Sequence, residues 1–115
     1  MYKFPLIVKG DPELAYIFPA KQKAVQSAIN IAKSDERIRR MIIFGSAVTM
    51  ECGAVSDIDI ALDIPGVNEE DFSKIARRFY LEVPSETDII NYNGISSSLL
   101  KHEIDTKGVN IYVKC

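Results

Sequence analysis

The sequence predicts an α/β fold: a small mixed sheet of about four strands with helices packed on it. Three observations predict it. Short β-favouring runs alternate with segments of helical period, and Gly, Pro or Asn punctuates the junctions between them. The chain has 115 residues, enough to bury one core and too few for two.

Residues 1–19 hold Pro5, Gly10, Pro12 and Pro19 around two short apolar pieces, so an irregular arm is expected ahead of a domain spanning 20–115. From Lys21 to Lys33, Ala24, Val25, Ala28, Ile31 and Ala32 recur at helical spacing and leave Lys21, Lys23, Asn30 and Lys33 outside. Arg40 to Phe44 (RMIIF) is β-favouring and stops at Gly45-Ser46. A second strand is expected over 57–64. Ile58, Ile60, Leu62 and Ile64 form its core face, and Asp57, Asp59, Ala61 and Asp63 form the other. Pro65-Gly66 closes it. Asn68 then caps a helix in which Phe72, Ile75, Ala76 and Phe79 share a face and Glu69, Glu70 and Asp71 suit the dipole of the first turn. A third strand is read over 86–92, with Asp88 near its start. A last helix follows over 97–107, Gly108 suits its end, and 109–113 completes the order α-β-β-α-β-α-β.

Composition narrows the function. An apolar fraction of 47% with 26% charged residues is that of a globular protein and argues against disorder. No apolar run is long enough to span a bilayer, and the opening MYKFPLIVKGDPE breaks at Pro5 and Gly10, so a cytoplasmic protein is expected. Cys52 and Cys115 have no metal-ligand spacing and are expected to stay reduced. A net charge of −2 gives no basic footprint, so nucleic acid is not favoured as a partner.

The chemistry gathers around 45–59, GSAVTMECGAVSDID. Aspartates at i and i+2 of a strand project the same way with Cα atoms roughly 6 to 7 Å apart, within reach of one divalent cation. Without a cation they would repel and raise each other's pKa. Magnesium suits such a pair because it takes oxygen ligands and is completed by phosphate. Gly45 lets backbone approach a ligand, and Ser46 offers a hydroxyl and an amide to a phosphate, more so if 47–51 begins a helix. Asp88 supplies a third carboxylate. Three carboxylates suit two magnesium ions, as in two-metal nucleotidyl transfer.

Gly45-Ser46, ten intervening residues, Asp57-x-Asp59 and the later strand residue Asp88 together resemble the DNA polymerase β nucleotidyltransferase superfamily. The resemblance is nearest to its minimal MNT-type members, found in prokaryotic toxin–antitoxin pairs, and covers about residues 21–113. It implies a polymerase-β-like nucleotidyltransferase fold, metal binding by Asp57, Asp59 and Asp88, help from Asp88 in deprotonating the acceptor, and nucleotide binding by Gly45, Ser46 and Ser56. It also implies two Mg2+ ions, ATP as the nucleotide, and AMP transfer to a hydroxyl of a helical HEPN-type toxin (AMPylation) that silences the toxin's ribonuclease activity. The chain departs from the family where a basic residue and a second glycine usually follow Gly-Ser, having Ala47, Val48, Thr49 and Met50 instead. Arg39, Arg40 and Lys101 are the candidates for the missing charge.

Two readings remain open: an Mg-dependent protein adenylyltransferase, or an inactive subunit of the same fold that neutralises its partner by binding. Elsewhere, Asp63 is expected to be solvated, His102 a surface or packing residue, Arg77 and Arg78 a solvated helix face, and Tyr92 and Tyr112 core or edge aromatics. An oligomer is compatible with the sequence.

Overall fold

The computed structural model describes residues 2–53 and 55–115; Met1, the first residue of the expected arm, lies outside them. Helix α1 (Pro19–Ser34) starts on Pro19 itself. Proline's fixed φ and missing N–H suit the first helical position, so this turn former opens a helix. Strands β1 (Arg40–Phe44), β2 (Ile58–Asp63), β3 (Thr87–Asn91) and β4 (Val109–Val113) build one sheet in the order β3-β2-β1-β4. β1 is antiparallel to β2 and β4, whereas β2 and β3 are parallel. A parallel pair needs a crossover, which α2 (Glu69–Glu82) supplies. The mixed sheet and the element order agree with the sequence reading.

Local chemistry fixes the ends of these elements. Asn68 Oδ1 accepts from Asp71 N at 2.8 Å at the start of α2. Ser97 Oγ accepts from Leu100 N at 3.2 Å at the start of α3 (Ser98–Lys107). Gly108 follows α3 with an ordinary φ of −72°, and glycine is required there for space. A Cβ would stand 2.5 Å from Ile104 O and 2.6 Å from Ile42 Cγ2.

One face of the sheet is covered by α1 and α2. Val25, Ala28 and Ile29 with Ile75, Ala76 and Phe79 pack on Ile43, Ile58, Ile60 and Leu62. The arm joins this core: it makes a 3-10 turn at Pro12–Tyr16 and buries Leu14 and Ile17 completely. The fully buried Gln22 holds it down, donating to Pro5 O at 2.8 Å and Ile17 O at 3.1 Å while accepting from Ile7 N at 2.9 Å. Gln26 Oε1 accepts from Asp11 N at 3.0 Å one turn later.

The opposite face carries α3, and here the sequence reading needs correction. Ala61 and Ile42 are buried beneath Ile104 in a second apolar cluster, and Asp63 is 7% exposed where a solvated residue was expected. Asp63 takes Arg40 Nε at 3.3 Å and Asn93 Nδ2 at 2.9 Å. A carboxylate is retained at low exposure only when partnered, and these two donors partner it. Tyr92 lies in a 3-10 turn after β3, not in a strand, and donates its hydroxyl to Asp105 Oδ1 at 2.6 Å.

Candidate active site

The predicted motif residues converge at one end of the sheet. β1 delivers Gly45 at its C-terminal end, and the antiparallel register sets Phe44 opposite Asp59. The parallel register sets Asp59 opposite Asp88, so the two side chains leave the same face of neighbouring strands, whose backbones run about 4.8 Å apart. Asp57 lies one residue before β2, where Ile58 N donates to Glu86 O at 2.9 Å. Gly45 has φ +73°, a conformation that side chains disfavour, and a Cβ there would overlap Asp59 Oδ2. Glycine at 45 thus serves the backbone turn and leaves room for the carboxylate together.

Burial raises the pKa of Asp59, and the charges of Asp88, Asp57 and Glu103 raise it further. Glu103, on α3, is an acid that sequence reasoning missed, because its place depends on how α3 lies over the sheet. Asp57, Asp59, Asp88 and Glu103 make no hydrogen bond or ion pair through their side chains within the described residues. These oxygens, partly dehydrated at Asp59 and uncompensated by protein cations, are of the kind that Mg2+ prefers. Among the described residues no three metal-binding side chains already stand in a ligand set, so a cation would have to draw the carboxylates together.

The turn after β1 is a four-residue 3-10 turn, Gly45–Val48, and not the start of a longer helix. Thr49 Oγ1 and Thr49 N both donate to Ser46 O, at 3.0 and 2.9 Å, which ends it. A cavity of about 600 Å³ opens beside this turn, walled by Tyr2, Gly45, Ser46, Glu103, Thr106 and Lys107 among others. Ser56, expected in the nucleotide-binding set, accepts from Gly53 N at 2.9 Å and shapes the loop before Asp57 outside that cavity.

The charges proposed for the missing basic residue are elsewhere. Arg40 pairs with Asp63 and stacks on Tyr92, 4.7 Å from the ring centroid, and Lys101 lies over the same ring at 5.2 Å. Arg39 precedes Arg40 and donates its amide to Asp63 O at 2.9 Å. Position 63 is four residues along β2 from Asp59, about 13 Å away. His102, Arg77 and Arg78 are exposed, as expected. Cys52 and Cys115 are both free thiols.

A four-stranded mixed sheet with a Gly-Ser turn ending one strand and an Asp-x-Asp pair entering the next is a nucleotidyltransferase architecture. The family described as "Polymerase beta, Nucleotidyltransferase" matches residues 26–114, and the chain belongs to it. Solved structures share the fold. A tri-AMPylated Shewanella oneidensis HEPN toxin in complex with MNT antitoxin contains a chain 19% identical, with a TM-score of 0.61 over 82% of this chain and 73% of that one. A toxin–antitoxin structure with AMP-PNP contains one 19% identical, with a TM-score of 0.64 over 76% and 72%. The MntA–HepT toxin–antitoxin contains one 18% identical, with a TM-score of 0.61 over 81% and 73%. No curated protein sequence matches the chain.

Proposed function

We propose that this protein is an Mg-dependent adenylyltransferase that moves AMP from ATP onto a hydroxyl of a helical, HEPN-type protein partner. The observation that carries the reading is the register of Asp59 against Asp88 beside Gly45, whose absent Cβ leaves the space Asp59 occupies. Structures of the same fold, in which a HEPN toxin is AMPylated beside an MNT antitoxin or AMP-PNP is present, support the nucleotide and the partner.

In this reading Asp57, Asp59 and Asp88 hold Mg2+, which supplies neutralisation of phosphate charge and a lower pKa for the attacking hydroxyl. Gly45 and Ser46 present backbone and hydroxyl to the phosphates at the cavity wall. Asp88 is exposed on edge strand β3. It is open to an acceptor arriving from solution, and in this reading it takes the proton from the acceptor hydroxyl. The partly buried Asp59 is held in place between β1 and β3. The domain assigned to the reaction is 20–115, with residues 1–19 as a leading arm packed into the same core.

Intact-mass spectrometry of a HEPN-type partner tests this after incubation with the protein, Mg2+ and each NTP. We expect the partner to gain one or more AMP masses with wild type and none with Asp57→Asn/Asp59→Asn. A second reading, neutralisation by binding alone, is favoured by the uncharged run Ala47 to Met50. It predicts no mass gain and equal neutralisation by wild type and the double variant.

A further inference from the structure

We propose that Lys107 binds the phosphates of the nucleotide and replaces the basic residue that is absent after Gly45-Ser46; this rests on the nucleotidyltransferase reading above. The last turn of α3 brings Lys107 to the wall of the cavity that also holds Gly45 and Ser46. It is the one cation among the described residues of that wall. Arg40 and Lys101, the other candidates near the sheet, face Tyr92 at its opposite end.

Lys107 is also uncommitted. It lies one helical turn after Glu103, yet neither Glu103 nor any other group within the described residues engages it in a hydrogen bond or ion pair. Its ammonium is exposed on a flexible stem, so it can follow a ligand without losing a partner. The wall otherwise carries Glu51 and Glu103, which repel a polyanion, so the single cation decides whether phosphate enters that side. Pairing of β4 with β1 fixes the placement. Val109 opposes Ile43, which keeps the preceding residues of α3 beside the Gly45 turn.

A lysine in the last turn of a helix also suits the helix dipole, and the test separates the two roles. Isothermal titration would measure binding of ATP in Mg2+ to wild type, Lys107→Ala and Lys107→Arg at two salt concentrations, with thermal melts beside it. We expect Lys107→Ala to bind ATP roughly tenfold to a hundredfold more weakly, as for a lost charged hydrogen bond. It should also show a flatter salt dependence, and Lys107→Arg should restore most of the affinity. Wild-type affinity retained by Lys107→Ala would overturn the role of Lys107 and leave the enzyme reading standing. Loss in Lys107→Arg equal to that in Lys107→Ala would overturn the charge argument. Failure of wild type to bind ATP would overturn the enzyme reading and this proposal together.

Discussion

Gly45→Ala is the substitution that most directly tests the packing of the site. At φ +73° an alanine pays a left-handed backbone cost of about 1–2 kcal/mol. Its Cβ also overlaps Asp59 Oδ2, which must swing off its preferred rotamer at a further ~1 kcal/mol. The total is about 2–3 kcal/mol. With unfolding entropy near 2.1 cal/mol/K per residue, that lowers Tm by about 8–12 °C in a chain of this length. Gly66 is the internal control: its φ is +74° and no atom of the described residues lies within 4 Å of where a Cβ would stand. Gly66→Ala should therefore lose only the backbone part, about 4–8 °C, and keep full AMP transfer. Gly45→Ala should lose more stability and nearly all transfer, and in an Asp59→Ala background its cost should shrink to that of Gly66→Ala. Equal melting losses for the two glycine variants, with transfer intact in Gly45→Ala, would refute the idea that this glycine makes room for the carboxylate.

Two further outcomes follow from the charges. Burial and then the neighbouring acids raise Asp59 above 3.8, so the folded state binds its proton more tightly than the unfolded state. Stability from this group is greatest below 3.8 and is lost as pH rises through the raised value. In EDTA, Asp59→Asn should melt higher than wild type at neutral pH, and the gap should close on acidification towards pH ~4 and narrow when Mg2+ is added. A gap independent of pH would count against the carboxylate cluster. Arg40→Ala removes the charged partner of Asp63, whose side chain is 10% exposed, and leaves it the amide of Asn93; it should cost about 1–3 kcal/mol by chemical denaturation, discounted for the partial exposure of Arg40. AMP transfer should be unchanged; a large loss would return Arg40 to the candidate site.

Legibility in the sequence followed the range of the interactions involved. Asn68 with its three acids, and the alternation of Ile58, Ile60 and Leu62, are written in adjacent residues and were readable. The convergence of Gly45, Asp59 and Asp88 was readable only as a motif, because strand register joins residues far apart in sequence. Asp63 was misread for the same physical reason. Alternation identifies the face with β2's isoleucines, but only the docking of α3 and the turn at Tyr92 shows that the opposite face is also covered. Ile104 is the only residue of α3 that is buried, so the helix gives little apolar signal of where it lies. Glu103 and Lys107 were invisible without that placement. Under the proposal for Lys107, the absence of a basic residue after Ser46 is the one sequence feature that points to a cation from elsewhere.

The amide of Gln22 that ties down the arm makes the evolutionary unit and the folding unit differ. Family similarity starts at residue 26, inside α1 and beyond Leu14, Ile17 and Gln22. A polypeptide trimmed to the matched span would begin in mid-helix and leave open the part of the core that those side chains close. The leading segment, outside the matched span, therefore acts as a keystone, and sequence similarity alone is a poor guide to where this protein can be cut.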